Sequence, residues 1–195
     1  MLRPYWIVKF SGGGEDVFAF TDSAPATGVA FDRADNLYVV IPGNNTIVKF
    51  TPDGVRSVFA STGLNTPSGL AFDRAGNLYV ANTFGNTIEK FTPGGVGSVF
   101  ASSGLNRPVG LAFDSAGNLY AANFGNSTIE KFTPGGVGSV FASTGLNGPE
   151  FLAFTNDAGL PLPLANQVPE PTTCAMLALG AVALLGRQRH RPTAR

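Results

Sequence analysis

Short apolar segments alternate with turn residues along most of the chain, and the alternation recurs at a regular interval. In one copy the segments Gly69–Asp73, Asn77–Asn82, Thr87–Thr92 and Val96–Ala101 are rich in Val, Ile, Phe, Tyr and Thr. Residues of these types favour strands, whereas the Gly, Pro, Asn and Asp residues between the segments favour tight turns. The pattern therefore predicts four short strands per unit.

The interval is 41 residues, and its clearest marker is the tripeptide Ala-Phe-Asp at 30–32, 71–73 and 112–114, followed by Ala-Phe-Thr at 153–155. Residues 63–103 and 104–144 are identical at 32 of 41 positions, so these units are tandem duplicates. A four-stranded unit of this length is the size of one β-propeller blade, which buries its faces only by stacking on its neighbours. We therefore predict an all-β fold, a propeller of repeated blades.

The array has partial units at both ends. Ile7–Phe10 matches the third strand of a unit, and Glu15–Phe20 then serves as the fourth strand. Three full units follow, and Phe151–Thr155 is expected to begin a fifth unit that stops after one strand. An array this short forms an open arc, closes as a small ring, or continues in blades encoded upstream of Met1.

One unit also carries a family pattern. Gly69–Asp73 reads Gly-Leu-Ala-Phe-Asp, Gly76–Asn82 reads Gly-Asn-Leu-Tyr-Val-Ala-Asn, and Asn86–Phe91 reads Asn-Thr-Ile-Glu-Lys-Phe. This combination resembles the NHL repeat, over about residues 1–157. The resemblance implies a propeller domain at 1–157. It does not fix a function, because propellers of this kind serve as binding modules and as lactonase or lyase enzymes.

After Asp157 the composition changes. Residues 158–167 are rich in Pro and Leu and read as a linker, and 16 uncharged residues separate Glu170 from a cluster of Arg187, Arg189 and Arg191. As a helix those residues span roughly 24 Å, which is short of the hydrocarbon core of about 30 Å, but snorkelling arginines and local thinning cover the difference. We therefore predict a C-terminal transmembrane helix within residues 168–195, with the three arginines as a cytoplasmic stop.

This tail is similar to the PEP-CTERM sorting signal, which combines Val-Pro-Glu-Pro, an apolar helix and a terminal arginine cluster. The resemblance implies that Val168, Pro169, Glu170 and Pro171 are the sorting motif. It also implies processing by an exosortase, a membrane-embedded transpeptidase, in a Gram-negative bacterium that exports exopolysaccharide. The chain is then expected to pass through the inner membrane to the cell surface or the extracellular matrix. An unsorted single-pass anchor and a buried C-terminal helix are the alternatives.

A sorted protein needs an export signal, and Met1–Pro4 does not begin one, because no charged and apolar organisation with a cleavage site follows it. The absent signal peptide and the short array favour the interpretation that an N-terminal stretch precedes Met1. On that interpretation, the lost blades could belong to a lactonase-like or lyase-like enzyme. A remnant of a longer gene is the third alternative.

Charge excludes one class of partner. The chain has 13 basic and 13 acidic residues, and four of the arginines lie in its last nine positions, so the remainder is mildly acidic. Nucleic-acid binding is therefore not expected. The single Cys174 permits no disulfide within the chain, and the single His190 lies in the basic tail.

The acidic residues of the blades do not suggest catalysis. Asp32, Asp73 and Asp114 recur at one turn and are interpreted as turn residues, while Glu89 and Glu130 are interpreted as solvated or cross-strand partners of the adjacent lysines. No convergent catalytic or metal-binding set is visible in the sequence. We therefore predict a protein without cofactor, metal or enzymatic activity.

The differences between the two duplicated units point to a surface. Seven of the nine differing positions fall in the connections from strand two to three and from strand four to one, which open on the same face of a propeller. We predict a binding rim for a carbohydrate or protein ligand on this face, with relaxed selection on loops as the alternative. Its candidate residues are Phe84, Asn86, Arg107, Phe124 and Asn126, and the repeated asparagines either bind sugars or shape turns.

Overall fold

The structure, a computed structural model, describes the backbone of residues 5–11, 14–21 and 25–154, with side chains from residue 25 onward. These residues lie in the first of the two units into which the chain divides, Met1–Ala165. The linker, the sorting motif, the predicted C-terminal helix and the arginine cluster lie outside the described residues. Within the described ranges no helix is long and apolar enough to cross a membrane.

The described strands form one two-stranded and three four-stranded antiparallel sheets. The two-stranded sheet pairs β1 (Tyr5–Ser11) with β2 (Gly14–Thr21). Blade 1 contains β3 (Gly28–Phe31), β4 (Leu37–Ile41), β5 (Thr46–Phe50) and β6 (Arg56–Ala60). Blade 2 contains β7 (Pro67–Phe72), β8 (Leu78–Asn82), β9 (Thr87–Phe91) and β10 (Gly97–Ala101). Blade 3 contains β11 (Pro108–Phe113), β12 (Leu119–Asn123), β13 (Thr128–Phe132) and β14 (Gly138–Ala142).

The predicted blade pattern is confirmed. The four strands of blade 2 lie within two residues of the predicted segments and pair in sequence order, as do those of blades 1 and 3. The pairing of β1 with β2 confirms the partial N-terminal unit. A short 3₁₀ turn at Pro42–Asn44 is the one helical element among the described residues.

The predicted strand at the C-terminal end of the array is wrong over the residues described. Residues Phe151–Phe154 form no strand, because no neighbouring segment in the described part of the chain pairs with their backbone. The Phe154 ring nevertheless lies 4.6 Å from the Tyr120 ring, centroid to centroid, much as Phe113 lies 5.0 Å from Tyr79. The segment thus occupies the place of a first strand without forming a ladder.

The core lies between the blades. Because successive strand residues point to opposite faces, β4, β8 and β12 each present side chains to both neighbouring layers, and all five residues of each strand are buried. The layer between blades 1 and 2 contains Tyr38, Val40, Ile47, Leu78, Val80 and Phe91. The layer between blades 2 and 3 contains Tyr79, Ala81, Ile88, Leu119, Ala121 and Phe132. Each blade therefore depends on its neighbour for its stability.

A repeated glycine lets the first strands of adjacent blades approach closely. A Cβ atom built on Gly69 of β7 would overlap the carbonyl oxygen of Val109 on β11, and one built on Gly28 would overlap that of Ser68. The absence of a side chain at these positions permits the contact. It also explains the glycine that each unit has within its otherwise apolar first strand.

Candidate functional site

The two kinds of connection that were predicted to share a face meet in the structure. The backbone N–H of Arg107, at the end of the β10–β11 connection, donates to Oδ1 of Asn86 in the β8–β9 connection at 2.7 Å. The backbone N–H of Phe124, in the β12–β13 connection, donates to the carbonyl oxygen of Arg107 at 3.2 Å. Together with their equivalents, these connections form the surface that we call the rim. The rim comprises residues 42–45, 61–66, 83–86, 102–107, 124–127 and 143–148.

The guanidinium of Arg107 lies between two aromatic rings. Its Cζ atom is 5.4 Å from the centroid of the Phe84 ring and 5.1 Å from the centroid of the Phe124 ring. Both rings also face solvent, since Phe84 is 61% exposed and Phe124 is 37% exposed. Among the described residues no carboxylate or carbonyl oxygen accepts a hydrogen bond from this guanidinium. The two cation–π contacts hold the cation in place and leave its donors available.

The backbone that carries Arg107 is common to all three junctions. Arg107 has a φ angle of +49°, and the equivalent residues Thr66 and Gly148 have φ angles of +49° and +55°. The N–H of Thr66 likewise donates to Oδ1 of Asn45 at 2.7 Å, and the N–H of Gly148 donates to Oγ of Ser127 at 3.1 Å. This left-handed turn accepts different side chains, so the arginine is a feature of one junction only.

Two of the repeated asparagines hold the rim together. The Oδ1 atom of the buried Asn82 accepts from the N–H of Asn65 at 3.1 Å, and its Nδ2 donates to the Gly63 carbonyl oxygen at 2.8 Å and to Oγ1 of Thr87 at 3.1 Å. Asn123 makes the same three contacts in blade 3. Their amides are therefore used within the protein, as expected for residues that shape turns.

The candidate residues thus divide into two groups. Phe84, Arg107 and Phe124 form one cluster, and Asn86 positions its backbone. Asn126 instead accepts a hydrogen bond from Oγ1 of Thr128 at 2.9 Å, which stabilises the β12–β13 connection to which Asn126 belongs. Their role in binding stays a prediction.

The sequence interpretation missed Asn106, which precedes Arg107. Its side chain is exposed and lies against Gly125, where a Cβ atom would overlap its Oδ1 atom. No hydrogen bond joins its amide to any described residue. Because this asparagine recurs as Asn65, Asn106 and Asn147, its position alone could not distinguish it from a turn former.

Charge is distributed unequally between the connections. The six described connections of the rim contain no Asp or Glu, and Arg107 is their one charged residue. By contrast, Asp32, Asp53, Asp73 and Asp114 occupy the turns between strands one and two or between strands three and four. The rim therefore presents neutral polar groups, two aromatic rings and one cation.

The repeated aspartates are turn residues, as predicted. Oδ1 of Asp32 accepts from the N–H groups of Ala34 and Asn36 at 2.9 Å, and its Oδ2 accepts from Nδ2 of Asn36 at 2.8 Å and from the Tyr38 hydroxyl at 3.2 Å. Burial opposes ionisation of Asp32, but the hydrogen bonds from these residues prevail and lower its pKa. Burial, followed by the charge of Asp32, raises the pKa of Tyr38 to about 12. The turns around Asp73 and Asp114 repeat the backbone contacts.

The turns at Asp32 and Asp73 border a cleft between blades 1 and 2, with a volume of about 450 Å³. Its walls include the rings of Tyr38, Phe59 and Phe72, and the Lys49 ammonium lies 5.5 Å from the centroid of the Tyr38 ring. The sequence interpretation did not identify this cleft, because its walls come from two blades whose spacing depends on the stacking.

The interpretation of the repeated glutamates is wrong. Glu89 and Glu130 are only 6% and 5% exposed and lie in the layers between blades, against Gly63 and Gly104. They cannot pair with the adjacent lysines, because neighbouring strand residues point to opposite faces; the Lys90 ammonium lies 5.3 Å from the centroid of the Tyr79 ring. Burial raises the pKa of both carboxyl groups. Within residues 25–154 no group of three or more His, Cys, Asp or Glu side chains could hold a metal ion.

Comparison with protein families adds to this geometry. The family described as “NHL repeat” matches residues 105–132, from the rim connection before β11 to the end of β13. Residues 105–132 are therefore similar to an NHL repeat. This match confirms the resemblance inferred from the strand motifs.

The tail is matched by a second family. The description “PEP-CTERM protein-sorting motif” matches residues 167–191 and confirms the second resemblance. A sorting motif of this type implies export of the propeller through the membrane and processing by an exosortase. No match is found among curated proteins.

Solved structures show the same fold at low sequence identity. A chain of the nidogen–laminin complex is 22% identical and has a TM-score of 0.68, over 76% of this chain and 61% of that chain. The virginiamycin B lyase of Staphylococcus aureus is 18% identical with a TM-score of 0.61, over 68% and 47%. A Bacteroides thetaiotaomicron protein of unknown function is 18% identical with a TM-score of 0.60, over 70% and 44%. The propeller fold is confirmed, and this chain spans 44% to 61% of these structures.

Proposed function

We propose that this chain is an exported binding or structural protein that is sorted through its C-terminal motif and contacts its ligand through the rim. The observation that carries the proposal is the cluster of Phe84, Arg107 and Phe124. Aromatic residues, phenylalanine among them, and arginine are enriched in protein interfaces, and arginine is also enriched among the residues that dominate binding energy.

The sorting motif supports the location. Residues 167–191 match a sorting motif, so the blades are expected to end at the cell surface or in the extracellular matrix after transient residence in the inner membrane. The tail would contact the membrane and an exosortase, whereas the rim would remain free for a ligand outside the cell.

The use of the acidic residues supports binding rather than catalysis. The carboxylate of Asp32 accepts five hydrogen bonds and that of Asp114 accepts four, and those of Glu89 and Glu130 are buried between blades. Adjacent blades that agree at 32 of 41 positions also supply little of the asymmetry that a propeller enzyme needs.

The proposal is tested by the retention of purified full-length protein on cells of the encoding bacterium that lack the gene. The variant Phe84→Ser/Phe124→Thr removes both rings from the rim; Thr is the residue that blade 2 has at the position of Phe124. The control Val96→Ser/Val137→Ser removes two apolar side chains, each 69% exposed, from turns between strands three and four. We expect the rim variant to be retained poorly and the control normally. Equal retention of both variants would contradict a binding rim.

A further inference from the structure

We infer that the ligand of the rim is an acidic polysaccharide, whose sugar rings pack on Phe84 and Phe124 while a carboxylate group binds Arg107. The inference rests on the proposed binding rim and names the chemistry of its ligand. Three properties of the described rim lead to it: its cation, its rings and its neutral polar groups.

The cation indicates an anionic group on the ligand. A guanidinium presents five N–H donors in a planar fork that matches a carboxylate, and that of Arg107 has no acceptor among the described residues. Its position is held by cation–π contacts with the rings of Phe84 and Phe124. No acidic side chain occurs in the six described rim connections, so nothing there competes with an incoming carboxylate.

The rings and the neutral groups indicate a saccharide. The CH groups on the face of a sugar ring pack against aromatic rings, whose faces carry partial negative charge. In the connection that carries Arg107, the rim displays the exposed side chains of Ser102, Ser103 and Asn106, and the side-chain amide of Asn106 makes no hydrogen bond to a described residue. Hydroxyl and amide groups of this kind both donate to and accept from sugar hydroxyls.

An acidic polypeptide fits this surface less well. Peptide ligands commonly add a strand to a free sheet edge or place a helix in an apolar groove. The described rim consists of turns, and the N–H groups of Arg107, Phe124 and Gly125 donate to neighbouring connections. The favoured ligand is therefore one that is recognised through side chains.

The experiment measures binding of the full-length protein, in neutral detergent, to immobilised polygalacturonate. Its methyl ester retains the sugar rings and lacks the charge, and polyglutamate retains the charge on a peptide backbone. Arg107→Thr removes the cation and introduces the residue that the junction between blades 1 and 2, Thr66, carries at φ +49°. Arg74→Ser removes an exposed cation from a turn between strands one and two and introduces the residue of blade 3, so the net charge of the two variants is equal.

We expect wild-type protein and Arg74→Ser to bind polygalacturonate and not its ester, with Arg107→Thr about tenfold to a hundredfold weaker. Added salt should weaken the wild-type interaction. Equal binding of the acid and the ester, or equal binding by Arg107→Thr and Arg74→Ser, would overturn the inference, as would binding of polyglutamate alone. If neither polymer binds while the ring variant still loses cell retention, the ligand class is wrong and the binding rim stands.

Discussion

The buried glutamates should lower the stability of the blades at neutral pH, and replacing one of them should raise it. Glu89 lies in the layer between blades 1 and 2, 6% exposed and without a hydrogen bond to any described residue. Blade 1 has Val48 at the equivalent position, fully buried. The variant Glu89→Val therefore introduces a side chain that the repeat already accommodates.

The expected magnitude follows from desolvation. No buried side-chain oxygen of the described residues lacks a hydrogen-bond partner, so the Glu89 carboxylate, which makes no such bond, still reaches solvent. Its desolvation therefore costs less than the roughly 1–3 kcal/mol of a fully buried, unpaired polar group. Valine removes this cost and adds apolar contacts in the same layer. We therefore expect Glu89→Val to increase the free energy of unfolding by up to about 1 kcal/mol at pH 7.

The sign of the pH dependence separates this explanation from simple packing. Burial raises the pKa of Glu89 above its ordinary value of 4.5, so the folded state binds more protons than the unfolded state at intermediate pH. The free-energy cost of burying the charged Glu89 carboxylate is absent below the ordinary pKa of 4.5. This cost grows as the pH rises towards the folded-state pKa, and it is complete above that pKa. Wild-type stability attributable to Glu89 therefore falls as the pH rises.

Urea denaturation at pH 4 and pH 8 measures the effect. The stabilisation by Glu89→Val should be larger at pH 8 than at pH 4, and Glu89→Gln, which removes the charge and retains the shape, should share this difference. The reasoning is refuted if Glu89→Val is less stable than wild type at pH 8. A stabilisation that does not change with pH would also refute it, because the gain would then come from packing alone.

The remaining predictions concern the tail, the blade contact and the turn. Replacing Pro169-Glu170-Pro171 by alanines should leave unprocessed protein in the inner membrane, which fractionation detects; unchanged release would exclude sorting by this motif. Gly69→Ala should destabilise the fold by about 1–3 kcal/mol, because its Cβ atom overlaps the Val109 carbonyl oxygen. Gly94→Ala is the control, with ordinary contacts only, and equal melting of the two variants would contradict the close approach. Asp114→Asn should destabilise the protein at pH 7 and progressively less as the pH falls through the lowered pKa of Asp114; a loss independent of pH would argue against the charged hydrogen bonds.

Local patterns were sufficient to predict the blades, because strand and turn signals act over a few residues and the same signals occur in all three full units. The turn at Asp73, for example, follows from a carboxylate that accepts backbone N–H groups two and four residues on. The error at Glu89 has the opposite origin. A charged residue on a short strand suggests a solvated face, but stacking covers both faces of β9, and stacking is not a local property.

In the candidate site, too, local patterns predicted one part and the stacking of the blades determines the other. The face on which Phe84 and Phe124 lie follows from their places in the repeat, since both occupy the connection between strands two and three. Their contacts with one guanidinium do not follow, because the phenylalanine is shifted by one position between the blades: Phe84 aligns with Gly125, and Phe124 aligns with Thr83. The distance between side chains on two blades depends on the stacking of the blades.

The scaffold around the rim explains how one junction could acquire a binding cluster without loss of the fold. Asn82 and Asn123 fix the connections through their own buried amides, and the left-handed turn is held by a side-chain acceptor at each junction. These contacts use only the backbone of residue 66, 107 or 148, so threonine, arginine and glycine occupy the same conformation. A substitution at this position therefore changes what the rim presents to solvent while the interblade hydrogen bonds remain. Arg107→Thr should accordingly weaken binding while the fold is retained, with a loss of stability no larger than that of two exposed cation–π contacts.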